Sequence, residues 1–216
     1  SHVDDVIFPS VGANYSFYIE EGNFFPYLFS KLFTGEYLSL LFLKSQATAS
    51  YYFPLNDVND LVFAMKYSGG YIATLNGNKN DVPYIKEFFV GGSNSVRGWG
   101  SRAFPPQQST EVNINETNIP GGRVMLEGSF ELRKRMGDFL GTAVFLDWGN
   151  TWRELKHVKI SEVAVAAGFG FRFYTQIAAF RLDFGFKIYD PYDRTPIPER
   201  RFFDLMQFHF GIGEAF

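Results

Sequence analysis

Alternation with a period of two is the feature that most limits what this chain can become. From Phe180 onward, Phe180, Leu182, Phe184, Phe186 and Ile188 alternate with Arg181, Asp183, Gly185 and Lys187. Successive side chains of a strand point to opposite faces, so this segment has one apolar face and one charged or small face. Met206, Phe208, Phe210 and Ile212 alternate with Gln207, His209, Gly211 and Gly213 in the same way, and Ala13, Tyr15, Phe17 and Ile19 oppose Asn14, Ser16, Tyr18 and Glu20. Eight such strands are expected, near 11–20, 37–54, 60–75, 122–136, 138–150, 162–175, 178–189 and 202–216. Met136-Gly137-Asp138 and Thr175-Gln176-Ile177 are tight joins, whereas 76–84, 101–120, 151–161 and 190–200 are long and polar. Segment 23–36, with Phe24, Phe25, Leu28, Phe29, Leu32 and Phe33, suits either a short amphipathic helix or a loop at a lipid boundary.

Period two also fits a soluble antiparallel barrel or sandwich, which fills its centre with apolar side chains. Here the polarity is reversed: the apolar faces are wide and almost free of charge, and the opposite faces carry Glu131, Arg133, Arg172, Arg181, Asp183 and Lys187. The expected fold is therefore all-β, an antiparallel transmembrane barrel with rings toward lipid and ionic groups toward an aqueous interior. Short joins at one end and long ones at the other have the asymmetry of outer-membrane barrels. Aromatic residues make up 19% of the chain, with 26 Phe and 12 Tyr, more rings than a soluble core needs. No apolar run approaches the ~20 residues of a membrane helix.

The 216 residues suit one domain, 1–216, with no helical domain or linker. The absence of cysteine excludes disulfides and thiolate metal sites. A net charge of −3 offers no basic field for nucleic acid. Ser1-His2-Val3-Asp4 is not the start of a signal peptide, so an exported chain beginning this way is expected to be a mature or trimmed form.

Catalytic patterns are absent. His2, His157 and His209 are scattered and form no metal-binding pair; His209, on the inward face, is expected to make a hydrogen bond in the interior. No Gly-x-Ser-x-Gly elbow occurs, and Gly168-x-Gly170 lies within a strand, where it relieves crowding. Glu131 and Asp147 have the makings of a hydrolytic carboxylate pair, but Arg97 is available to neutralise them, which favours a structural role. No enzyme activity, cofactor or metal is expected. Tyr67, Tyr71, Trp99, Trp148, Trp152, Tyr189 and Tyr192 lie near strand ends and are candidates for interfacial girdles.

Residues 88–104 include Gly91-Gly92-Ser93-Asn94-Ser95-Val96-Arg97-Gly98-Trp99. Downstream come Phe130-Glu131-Leu132-Arg133, then Phe145-Leu146-Asp147-Trp148-Gly149, and a last strand in which Phe208, Phe210, Ile212 and terminal Phe216 are expected to share one face. In this order the four motifs resemble those of the Omp-eighty-five superfamily, the BamA/TamA-type outer-membrane assembly factors. The likeness is firm over about 40–216 and looser before. It implies that Val96, Arg97, Gly98 and Trp99 belong to the family's long sixth loop, which folds back into the barrel. By parity Glu131 and Asp147 point inward, so Arg97, whose fork suits a carboxylate, is expected to bridge Asp147 with Glu131 nearby. Gly91, Gly92 and Gly98 would let that loop turn and approach the wall.

The resemblance implies a bacterial outer-membrane location and a role in protein assembly or translocation, with membrane lipid and client barrels as partners. The family barrel has sixteen strands and usually POTRA domains; this chain shows about eight strands and no POTRA segment. A closed eight-stranded barrel has no room for an inserted loop. Either the chain is half of a sixteen-stranded barrel, completed by a second copy in a homodimer or by an amino-terminal half, or the barrel is small and the loop stays outside; open strand edges in lipid favour the half-barrel. The alternative is a POTRA-less dimer acting as a pore, a lipid-handling element or a partner subunit.

Overall fold

The alternating segments form strands that meander up and down in sequence order. A computed structural model describes residues 2–33, 40–75, 82–103, 121–193 and 195–216. The strands are β1 (His2–Val3), β2 (Gly12–Gly22), β3 (Phe42–Pro54), β4 (Leu61–Thr74), β5 (Val124–Met136), β6 (Leu140–Trp152), β7 (Ala164–Tyr174), β8 (Ala179–Tyr189) and β9 (Met206–Ile212). They make one sheet in the order β1 to β9, and every neighbouring pair is antiparallel. Much of the predicted joins 76–84 and 101–120, residues 37–39 of the second predicted strand, and Phe104 lie outside the described residues.

Eight long strands stand where eight were expected, with shifted ends. The ninth is the two-residue β1, folded back on β2 by Asp4, whose carboxylate accepts the N–H groups of Ser10 and Val11 at 2.9 Å each. The last strand is shorter than its prediction of 202–216. Phe202–Leu205 forms one helical turn, α2, and Gly213, with φ 81°, turns the chain out of the strand. The sheet does not close: among the described residues β9 pairs only with β8, and β1 covers only Gly12 and Ala13 of β2.

Side-chain parity sets two unlike faces. On β8, Arg181, Asp183 and Gly185 are buried while Phe180, Leu182, Phe184 and Phe186 are partly exposed. Outer rings pack across strands, with centroids 5.3 Å apart for Phe169–Phe184 and 5.2 Å for Phe184–Phe208. Tyr67, Tyr71, Trp148 and Tyr189 also face outward. Trp99, Trp152 and Tyr192 do not belong to a girdle. Trp99 and Trp152 are buried, the latter donating to Glu162, and Tyr192 meets the Asn150 amide at 3.0 Å.

The inner face is packed from β4 to β8, whereas on β2 and the middle of β3 it stays open: Asn14, Ser16 and Tyr18 are exposed, and a hollow of about 480 Å³ lies between Lys44, Gln46 and Glu127 and the loop. At the long-loop end Phe42, Ile72, Met125, Ala164 and Ala166 enclose Phe88, Val90, Val96 and Trp99. At the short-turn end Phe8, Tyr52, Val62, Ala64, Tyr174 and Ala179 make a second apolar layer, with Ile7 and Phe216 against it. Charged groups occupy the level between. Phe216 therefore does not share the outer face of Phe208, Phe210 and Ile212, all of which are exposed. The turn at Gly213 sends it inward, under the Arg133 guanidinium at 4.8 Å.

The segment left open between helix and loop is a helix, α1 (Phe24–Phe33). Asn23, at φ 69°, starts it, and the Glu21 carboxylate accepts the Phe24 N–H at 3.0 Å. Pro26 is tolerated in the first turn. Phe24, Phe25, Leu28, Phe29, Leu32 and Phe33 are all exposed and only Ser30 is buried. No helix among the described residues is long and apolar enough to cross a membrane.

Candidate functional site

Loop 88–103 enters the concave side of the sheet because its backbone can turn sharply and one of its faces is apolar. Gly91 and Gly92 take φ 106° and 107°, a region L side chains avoid. A turn between them and the Val-Arg-Gly-Trp motif is closed by Ser95 N–H to Gly92 O at 3.1 Å and Gly92 N–H to Trp99 O at 3.0 Å. Val90, Val96 and Trp99 pack into the upper apolar layer, with the Lys187 ammonium 5.4 Å from the indole centroid. This leaves Arg97 directed into the middle of the wall.

Arg97 is 1% exposed and Asp147 is fully buried. The guanidinium grips the carboxylate with two parallel bonds, Nε to Oδ2 and Nη2 to Oδ1, both 2.8 Å. The Arg97 backbone N–H adds a third, to Oδ2, at 3.0 Å. Charge-assisted bidentate pairs of this kind are the strong ones. Nη1 lies 3.4 Å from Asp183 and 3.6 Å from Glu131. Nη2 donates to Ser129 Oγ at 3.2 Å, and the Ser129 hydroxyl bonds Asp147 at 2.6 Å. The guanidinium lies flat over the Phe145 ring, 3.4 Å from its centroid. His209 Nε2 donates to the Arg97 carbonyl at 2.9 Å, so its proton is on Nε2.

A second set of arginines shares the same carboxylates. Arg172 contacts Glu131 and Asp183 at 2.5 Å each and Glu214 at 3.0 Å. Arg133 reaches Glu131 at 3.4 Å and Glu214 at 3.7 Å and donates to the Phe216 carbonyl at 3.1 Å. Arg181 lies 3.6 Å from Asp183 and also donates to Ser93 O and the Asn94 amide oxygen, holding the loop tip. Lys66 pairs with Glu127 at 3.2 Å and donates to Asn94 O at 2.5 Å; Glu127 also accepts from Ser95. Arg97, Arg133, Arg172, Arg181 and Lys66 thus face Asp147, Asp183, Glu131, Glu214 and Glu127, five cations against five carboxylates. Such pairing is what makes burial of so many charges tolerable.

Wall glycines make the room. A Cβ on Gly185 would overlap the Arg97 carbonyl, one on Gly170 would overlap the Asp183 carboxylate, and one on Gly98 of the loop would clash with the Ala166 side chain. Near the loop mouth, Glu87 accepts the Gly121 N–H at 2.8 Å, and burial raises its carboxyl above the usual range. Among the described residues no His, Cys, Asp and Glu group is arranged to hold a metal ion.

The motif residues Val96, Arg97, Gly98 and Trp99, the glycines Gly91 and Gly92, and the wall carboxylates Asp147 and Glu131 therefore meet in one place. Phe208, Phe210 and Ile212 lie apart, on the outer face of β9. Sequence reasoning placed Arg133, Arg172, Arg181 and Asp183 on the inner face but did not join them to Arg97. It missed Ser129 and Glu214; Ser129 carried the inward parity that would have found it, whereas Glu214 follows the end of β9 and had no such signal.

A family model described as the Omp85 superfamily domain (Omp-eighty-five) matches residues 2–216. Among solved structures, a crystal structure of BamA from Haemophilus ducreyi lacking POTRA domains 1-3 is similar, with a TM-score of 0.67 and 18% sequence identity over 97% of this chain. The chain spans 40% of the length of that structure, and at this identity the likeness is one of fold.

Proposed function

This chain belongs to the Omp85 superfamily, and on that premise we propose that it forms the wall of a bacterial outer-membrane barrel of the BamA/TamA type, acting in protein assembly or translocation. The observation that carries this reading is the loop clamped to the inner wall through Arg97 and Asp147. A barrel interior occupied by its own loop is not a wide, open pore. The loop braces the wall while the seam beside β9 stays available.

Among the described residues, β2 beyond Ala13 and the outer side of β9 have no strand partner, and in lipid each unpaired backbone group costs several kcal/mol. A second copy meeting edge to edge, or an amino-terminal half-barrel, would satisfy both. The edges also support the second reading, a POTRA-less dimer working as a pore, lipid-handling element or partner subunit. Reconstitution of the chain into liposomes separates the two. Faster folding of an unfolded client barrel than in empty liposomes supports the first; ion conductance without that acceleration supports the second. Particle mass in detergent tests the dimer, which a strictly monomeric particle would refute.

A further inference from the structure

The lipid-facing side carries a groove that ends at a basic rim. In register, Phe17, Ala47, Gly69 and Leu126 form one row across β2, β3, β4 and β5. The small residues in the middle leave a floor, and the large ones at either side stand as walls. Two adjoining hollows of about 490 and 330 Å³ share Phe17, Ala47 and Gly69. The second continues, through Tyr71 and Leu155, into a hollow of about 230 Å³ at the long-loop end. Arg123, Arg153, Glu154 and Lys156 line that last hollow. Glu154 lies 3.6 Å from Arg123 and 3.0 Å from Lys156, and Arg153 and Arg123 also act on the nearby Glu87 carboxyl, so three cations face two carboxylates.

We propose that this continuous surface binds one anionic, phosphate-bearing acyl lipid of the outer leaflet, its headgroup among Arg123, Arg153 and Lys156 and a chain along Gly69 and Ala47. The inference rests on the reading of the sheet as a membrane barrel. Charge complementarity selects the occupant: guanidinium groups match phosphate geometry, and the excess of cations favours an anion. Length agrees as well. From Tyr71 to Tyr67 the groove follows β4 for about four residues, roughly 14 Å, close to the ~15 Å depth of one leaflet. The long loops set its end of the barrel outward. A soluble anion would use the rim alone, and an uncharged chain only the groove; the two join at Tyr71 and Leu155.

Native mass spectrometry of the full chain in neutral detergent, with equal amounts of phosphatidylglycerol and phosphatidylcholine of one chain length, tests the assignment. Phosphatidylglycerol is expected to be retained preferentially, and Arg153→Ala/Lys156→Ala to remove about fivefold of that preference per cation. Gly69→Leu is expected to lower retention of both lipids together. A Cβ there meets nothing nearer than 3.9 Å, so the larger side chain fills the groove without displacing the wall. Equal retention of the two lipids by the parent, or a preference that survives the double substitution, overturns the headgroup site. Displacement by inorganic phosphate with no effect of Gly69→Leu overturns the chain site. Heat-modifiable migration on gels, kept by parent and variants alike, separates failure of this proposal from failure of the barrel reading.

Discussion

Asp147→Asn isolates the charge of the clamp while keeping its shape. The substitution leaves one oxygen to accept from the Arg97 fork and turns an NH₂ group against N–H groups that already donate. It weakens two bonds of 2.8 Å and one of 3.0 Å. Arg97 keeps Asp183 at 3.4 Å and Glu131 at 3.6 Å, but both are engaged more closely by Arg172. Breaking one side of a buried pair costs about 3–5 kcal/mol, and the remaining carboxylates place this case near ~3 kcal/mol. For a chain of this size each kcal/mol moves Tm by about 2–4 °C, so a fall of roughly 6–12 °C is expected. Loss of the heat-modifiable folded band with temperature reads it. Trypsin cleavage after Arg97 and Arg102 should rise in parallel as the loop leaves the wall. Combining Asp147→Asn with Arg97→Met should cost less than the sum of the single changes, because neither charge is then stranded. A Tm within about 2 °C of the parent, below the shift expected from even one kcal/mol, or strictly additive changes, would refute the clamp.

Three further outcomes follow from neighbouring features. Gly185→Val drives a side chain into the Arg97 carbonyl and should expose the loop to trypsin even with every charge in place. Phe216→Ala removes the ring beneath Arg133 and beside the lower apolar layer; a loss of about 2 kcal/mol in a urea titration is expected, less than the ~3–5 of a fully enclosed ring. Asp4 lies outside the spanning strands. Burial pushes its carboxyl up, but the Ser10 hydroxyl and the N–H groups of Val11 and Ser10 outweigh that and hold it below the usual range. Its contribution is therefore full above the ordinary carboxylate pKa and lost as pH falls through the lowered value. Asp4→Asn should weaken the fold at neutral pH and flatten the acid limb of a stability profile; an unchanged acid limb would contradict the assignment.

Much of this was legible because strand parity is a strict rule. Once Phe180, Leu182 and Phe184 are assigned outward, Arg181, Asp183 and Gly185 must lie inward, and the same step turned Glu131 and Asp147 toward Arg97 and put Arg133 on the inner face. What escaped the reading lies where parity stops. Glu214 and Phe216 follow Gly213, whose positive φ breaks the alternation, and an extended continuation placed Phe216 on the wrong face. Trp99 and Trp152 look like interfacial rings by composition, yet loop packing and a bond to Glu162 bury them. The loop-filled layers between β4 and β8 were hidden too, since inward charge marks the lining of a cavity without showing whether water or a loop fills it. Glycines at inward positions such as Gly170 and Gly185 were the unused signal, because absent side chains on a wall leave room for something else to approach.

The position of Arg97 along the chain bears on the order of folding. Its partners Ser129, Asp147 and Asp183 lie 32, 50 and 86 residues later, and His209, which fastens its carbonyl, lies 112 later. They come from β5, β6, β8 and β9, so no local hairpin offers a place for the arginine to settle. Contacts of such long sequence separation form late. The latch on Asp147 has to wait for β6, and its last fastening, by His209, for the final strand, so the arginine is secured only in stages as the wall is built.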